Sequence, residues 1–253
     1  MTPVLRLLAA VFGAAAAAFL IVGCAAGPAG EVPTSSPDPA AGDGEVQSDL
    51  RGALLDEGRL FAVVSWGSSS CVPVVDEVVV DEAAANGQSV SVTLVEPEDE
   101  GVEQACTADL RPRASIGAVP TGVDPTRDIT LKVTYGEIVE DVVLAGDPAL
   151  NGTPGEPTDY QNSAGWFEDG GLVLLTWGSS TCAPIVESLE GAGTAGTVVF
   201  AEQTDRVCTM DMVPRATILV FEEGTVDDGA VEKGEPFALT LVGGELDGMV
   251  EVR

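Results

Sequence analysis

Four cysteines, Cys71, Cys106, Cys182 and Cys208, and two hydroxyl runs, Ser68-Ser69-Ser70 and Ser179-Ser180-Thr181, are the residues of this 253-residue chain best suited to chemistry. A serine or cysteine nucleophile is usually activated by a base, and the chain contains no histidine. No Ser-His-Asp or Cys-His arrangement can therefore form within it, nor a His-ligated zinc or copper site. A Ser-Lys pair would need a lysine at matching places beside both runs, yet Lys132 aligns with Thr240. Carboxylates remain. Glu96, Glu98, Asp99, Glu100 and Glu103 fill one loop, and Glu222, Glu223, Asp227, Asp228 and Glu232 fill another. Paired Asp and Glu suffice for glycoside hydrolysis, and carboxylate oxygens suit weak Ca²⁺ binding. Neither cluster follows the EF-hand spacing and the two differ in position, so the expectation is solvated surface. No cofactor or metal is expected beyond weak Ca²⁺ binding.

Four cysteines allow three pairings, and an internal duplication selects one. Phe61-Ala-Val-Val-Ser-Trp-Gly-Ser-Ser-Ser-Cys71-Val-Pro matches Val173-Leu-Leu-Thr-Trp-Gly-Ser-Ser-Thr-Cys182-Ala-Pro, which aligns Trp66 with Trp177 and Cys71 with Cys182. Cys106-Thr-Ala-Asp-Leu-Arg-Pro-Arg matches Cys208-Thr-Met-Asp-Met-Val-Pro-Arg. Ile129-Thr-Leu-Lys-Val-Thr-Tyr-Gly-Glu matches Phe237-Ala-Leu-Thr-Leu-Val-Gly-Gly-Glu. Three ordered matches are a tandem repeat. One bridge per copy, Cys71–Cys106 and Cys182–Cys208, follows from it. A four-cysteine zinc site would need ligands from both copies and lacks any Cys-x-x-Cys pair. On the chain-entropy account each bridge stabilises by ~3.5–4 kcal/mol.

The elements that must position these residues read as β. In the first copy the strand candidates are 60–66, 72–80, 89–96, 114–119, 128–135 and 138–144. In the second they are 172–177, 183–189, 197–201, 216–221, 237–242 and 249–252. They are rich in Val, Ile, Leu and Thr, and several alternate apolar with polar. Residues 81–86 read as a single helical turn. The expected fold is all-β: two tandem small sandwich or barrel-like domains, each with its own core and disulfide. The Cys-Trp-Cys order of immunoglobulin domains is not met, because each Trp precedes both cysteines of its copy. Each Trp is expected to pack on its disulfide. Ser68, Ser69, Ser179 and Ser180 fall in the following turns and are candidate binding loops, with local turn-forming bonds as the structural alternative. Asp109 with Arg113, and Asp211 with Arg215, read as an ion pair or turn cap. The Trp-Gly-Ser-Ser-x-Cys-x-Pro segment resembles segments of uncharacterised secreted actinobacterial proteins, a resemblance that carries no function.

At the N-terminus Arg6 precedes the apolar run 7–22, the pattern of an export signal. The run is short of the ~20 residues that span a bilayer. Its end, Leu20-Ile21-Val22-Gly23-Cys24, resembles the lipobox of bacterial lipoproteins. The resemblance implies cleavage before Cys24 and a lipid on its thiol. The organisation expected is then a signal peptide over 1–23 and a lipidated tether over 24–47. Copy one follows over 48–146, a Gly/Pro linker over 147–158 and copy two over 159–253. The tether is rich in Ala, Gly, Pro and Ser.

From Cys24 onward the chain carries 10 basic and 41 acidic side chains, a balance near −31. That sign argues against nucleic-acid binding and against electrostatic adhesion to anionic lipid. Attachment to the outer face of the cytoplasmic membrane would rest on the lipid at Cys24. The function these features favour is a membrane-anchored, extracytoplasmic binding or scaffolding module, its partner an envelope protein or glycan. The alternatives are a His-free, carboxylate-based hydrolase such as a glycosidase, or an inhibitor or sensor that presents disulfide-braced loops.

Overall fold

Phe61-Ala-Val-Val64 and Leu172-Val-Leu-Leu175 break the alternation expected of a half-buried strand, and all eight residues are 0 % exposed in the computed structural model. Such runs belong to strands covered on both faces. Phe61 and Val63 enter the core of their own copy, as do Leu172 and Leu174. Ala62 and Val64 face the opposite way and meet Val173 and Leu175 of the other copy.

The structure describes residues 50–84, 86–97, 105–221, 231 and 233–252. The expected signal peptide, Cys24 and the tether lie outside the described residues, as does most of each acidic loop. Val46–Arg253 forms one compact unit, and the fourteen strands among its described residues fall into two matching sets of seven. The first set is β1 (Arg51–Leu55), β2 (Leu60–Gly67), β3 (Val74–Val80), β4 (Ser89–Val95), β5 (Arg111–Ala118), β6 (Ile129–Tyr135) and β7 (Ile138–Leu144). The second is β8 (Ser163–Glu168), β9 (Gly171–Gly178), β10 (Val186–Ala192), β11 (Ala195–Phe200), β12 (Val213–Val220), β13 (Phe237–Val242) and β14 (Gly248–Val252). The fold is all-β, and the described residues of the segment expected as a helical turn, 81–84 and 86, hold turns and a bend rather than a helix.

Each copy is a two-sheet sandwich. An inner sheet runs β1-β2-β5 and an outer sheet β3-β4-β6-β7. In the second copy the matching sheets are joined by one pairing, Val252 with Ala164, into the order β10-β11-β13-β14-β8-β9-β12. The chain leaves β4 for β5 in the inner sheet and returns as β6, so β4 and β6 are parallel, while hairpins make β3–β4 and β6–β7 antiparallel. β11 and β13 repeat that parallel pair. The register shifts between Val75 and Glu77 and between Val186 and Ser188. Each shift leaves one acid, Asp76 or Glu187, in a bulge on an edge strand, a device that discourages edge-to-edge pairing.

Three apolar clusters hold the stack. One fills each sandwich. The third lies between the two inner sheets, with Ala53, Leu55, Ala62 and Val64 against Phe167, Val173 and Leu175. Matching strands meet there, β1 against β8 and β5 against β12, the self-complementary arrangement of a two-fold interface. A Cβ on Gly165 would stand 2.3 Å from the carbonyl oxygen of Leu54 and 3.2 Å from the Ala53 Cβ, so a glycine lets β1 and β8 pass close.

Polar contacts reinforce the seam. The turn after β1 holds Asp56, Glu57 and Gly58 at φ 48°, 55° and 88°. The Asp56 N–H donates to Ser163 Oγ at 2.9 Å, and the Gly152 N–H donates to the Glu57 carbonyl at 2.9 Å. Arg59 bridges Asp56 at 3.0 Å and Asp159 at 2.8 Å. The segment read as a linker is therefore tied to the first copy. Expected as two separate cores, the copies also share a third.

Candidate functional site

Both expected disulfides form, Cys71–Cys106 and Cys182–Cys208, with Cα atoms 5.5 Å apart in each. Each closes a clasp over one end of its sandwich. In the first, the Ser68 and Thr107 hydroxyls share a hydrogen bond at 2.8 Å. The Thr107 N–H donates to Ser70 Oγ at 3.0 Å, and the Ser70 N–H to Ser68 Oγ at 3.3 Å. Asp109 accepts from the Thr107 hydroxyl and, at 3.1 Å, from the Ser69 N–H. The second clasp repeats this bond for bond. Ser179 and Thr209 share a bond at 2.7 Å. The Thr209 N–H donates to Thr181 Oγ1 at 3.1 Å. Asp211 accepts from the Thr209 hydroxyl and, at 3.1 Å, from the Ser180 N–H.

Asp109 and Asp211 thus cap the serine turns; neither pairs with the arginine four residues on. Arg113, only 8 % exposed, donates to the carbonyls of Ser68 (3.2 Å) and Cys71 and to Ser65 Oγ at 3.3 Å. Its other end donates to the Tyr135 hydroxyl at 2.8 Å, which in turn donates to Glu96. Burial first, then the Glu96 bond, pushes the Tyr135 hydroxyl above its ordinary pKa. Arg215 donates to the carbonyls of Cys182 and Trp177, both at 2.9 Å. Gly243 stands where Tyr135 would be, and burial lowers the Arg215 pKa. Arg215 Nε and Thr176 Oγ1, the counterparts of the bonded Arg113 and Ser65, are buried without a partner among the described residues.

The glycine of the Trp-Gly-Ser-Ser motif has a direct reason. A Cβ on Gly67 would fall 2.6 Å from the Arg113 guanidinium carbon, and one on Gly178 2.9 Å from that of Arg215. The motif and the distant Thr-x-Asp-x-x-Pro-Arg stretch are two halves of one device. Ser68, Ser69, Ser179 and Ser180 are brought together with Thr107, Asp109, Thr209 and Asp211, and their exposed hydroxyls and amides are largely spent on one another.

The tryptophans do not pack on the disulfides. Alternation along β2 places Ser65, which meets Arg113, on one face and Trp66 on the other. Trp66 joins the seam, edge-on to Phe167 with centroids 6.4 Å apart. Trp177 also borders the seam. Its indole N–H donates to the Gln161 carbonyl at 3.0 Å, and its ring lies 5.2 Å from that of Tyr160.

The clasp has an apolar rim that the sequence reading missed. Val207, beside Cys208, is 96 % exposed, Met210 is fully exposed, and Met212 is 60 % exposed. In the clasp of the first copy, Leu110, the counterpart of Met212, is comparable at 75 %. Solvated large apolar residues flanking a cysteine were the available signal. Among the described residues no group of three or more acidic or cysteine side chains is placed to hold a metal ion, and no helix is long and apolar enough to cross a membrane.

The clasp carboxylates make a pH test. Asp211 is held down to about 2, first by the Thr209 hydroxyl and then by Ser180. Asp109 is held lower still by Thr107 and Ser69. A carboxylate with a depressed folded pKa contributes stability that is present above its ordinary value, 3.8, and lost as pH falls through the folded value. Melting temperature should therefore drop as the protein is acidified from about pH 4 toward pH 2. Asp211→Asn should lower it at neutral pH and flatten that acid limb, as followed by circular dichroism. An acid limb of unchanged depth in the variant would overturn the assignment. Comparison with known family models, with curated proteins and with solved structures gave no match, so function rests on this geometry alone.

Proposed function

We propose that the chain is a lipid-anchored, extracytoplasmic module whose β body displays the clasp loops to a protein partner of the cell envelope. Lipid on Cys24 would hold it to the outer face of the cytoplasmic membrane, and the 24–47 tether would carry the body away from the surface. The observation that supports binding is the rim of the second clasp. Val207, Met210 and Met212 expose apolar surface from a segment immobilised by a disulfide and by the Thr209–Asp211–Ser180 bonds. Exposed apolar patches on a soluble body are commonly interaction sites, and methionine adapts to irregular partner surfaces. A loop ordered before contact loses little entropy on binding. The chain's acidity favours a partner that offers basic residues around an apolar centre.

The test is crosslinking in intact membranes, compared between the parent and a Met210→Ser, Met212→Ser double variant. The variant should lose the crosslinked partner about tenfold or more, as loss of central apolar anchors does, with an unchanged melting temperature. Equal capture by the two proteins would reject the rim as the contact. Intact-mass measurement of the membrane form checks the anchor: an unmodified Cys24 would reject it.

A further inference from the structure

Beside the seam lies a small cavity that neither the clasps nor their rim uses. Its volume is about 70 Å³, and Gly52, Ala53, Leu54, Leu150, Trp166 and Lys233 are among the residues that line it. Trp166 is only 4 % exposed, and its indole nitrogen is buried without a hydrogen-bond partner among the described residues. An indole N–H can only donate, so this wall asks for an acceptor. Lys233 adds a second donor. Its Nζ reaches one carbonyl, that of Phe167, at 3.4 Å. Partial burial lowers its pKa, with Arg51 acting in the same sense and Asp169 and Glu168 opposing, while the residue as a whole stays exposed to solvent.

Space and surroundings narrow the ligand. A cavity of about 150 Å³ holds benzene, so this one holds a carboxylate and a carbon or two. It shares Ala145, Asp147 and Gly234 with an open groove of about 780 Å³, where the acids Asp147, Glu235 and Glu251 stand. Donors and acids therefore meet on adjoining walls: Trp166 and Lys233 line the cavity, and Asp147, on the wall shared with the groove, stands with Glu235 and Glu251, which matches a ligand that carries a carboxylate and, a few bonds away, a positive charge. A plain anion would also meet the repulsion of a chain with a net charge of −30.

We propose that this cavity binds the carboxylate of an α-amino acid or of a peptide C-terminus, with Trp166 Nε1 and Lys233 Nζ as donors and the groove acids facing the ligand's ammonium or the rest of its chain. The site goes beyond the clasp-rim reading, and either can fail without the other.

With three tryptophans in the chain, the indole N–H signals of the ¹⁵N-labelled full-length protein give a direct readout. Glycine, glycylglycine, acetate and ethylamine are titrated in turn. A saturable shift confined to the Trp166 indole is expected with glycine or glycylglycine, with acetate binding more weakly and ethylamine producing no shift. Tighter glycine identifies a free amino acid, and tighter glycylglycine a peptide end. Lys233→Met should weaken binding about tenfold or more, the scale of a lost hydrogen bond to a charged group, with the indole spectrum otherwise unchanged. No saturable shift with any carboxylate, or equal affinity in Lys233→Met, would overturn the site. Acetate binding as tightly as glycine and glycylglycine would overturn the zwitterion assignment.

Discussion

Phe167→Ala should lower the stability of the folded body by about 3–5 kcal/mol, the usual cost of truncating a buried aromatic ring. Phe167 is 1 % exposed and belongs to the cluster shared by the two inner sheets, with Trp66 edge-on to it. The cavity would open between the copies rather than inside either sandwich. The parent should unfold in one cooperative transition, because each inner sheet is left with one large apolar face bare once the other has left. The variant should melt lower and over a broader range as the copies uncouple. Calorimetry and tryptophan fluorescence on the same samples test this, since Trp66 and Trp177 both border the seam while Trp166 lies in the second sandwich. A loss below about 1 kcal/mol, well under the range for a packed aromatic, would mean that the seam contributes little and the copies are independent. Two separate transitions in the parent would lead to the same conclusion.

Replacing Cys71 and Cys106 together by alanine should cost about 3.5–4 kcal/mol, the unfolded-chain entropy that a bridge over 35 residues removes. Removing both thiols avoids leaving a reactive partner. The effect reaches past entropy, because the bridge brings Thr107 and Asp109 to the Ser68–Ser70 turn and the Cys71 carbonyl accepts from Arg113. Guanidinium unfolding measures the change. The Arg113 contacts with Ser65 and Tyr135 should keep the end of the sandwich folded, so the native spectrum should survive at 25 °C while the midpoint falls. An unchanged midpoint would show that the clasp's hydrogen bonds alone hold the segment.

The duplication made these results partly foreseeable and partly not. Matched cysteine positions named both bridges, because a repeat must pair each cysteine with its equivalent partner. Alternation in Ser89–Val95 and Ile129–Tyr135 named strands with one wet face. The strands β1 and β8 escaped notice. Arg-Gly-Ala-Leu-Leu and Ser-Ala-Gly-Trp-Phe-Glu carry glycine and alanine in place of β-branched residues. Those small residues serve close approach: a Cβ on Gly52 would meet Leu144 at 2.4 Å, and one on Gly165 the Leu54 carbonyl at 2.3 Å. Such a requirement comes from neighbours far along the chain and leaves no local periodicity.

The same limit applies to the site. Residue types alone determined that no histidine-based chemistry occurs here, that the body is β and duplicated, and that its cysteines pair within each copy. Composition and repetition suffice for those, because each is a property of the chain read in order. Whether the serines are free, which face Trp66 takes, and what Lys233 and Trp166 surround depend on residues dozens of positions apart meeting in space. The unalternating runs Phe61–Val64 and Leu172–Leu175 announced that something covered the second face. Only the tertiary structure showed that the cover was the other copy, because a strand's own sequence records that both faces are dry but not what keeps the water out.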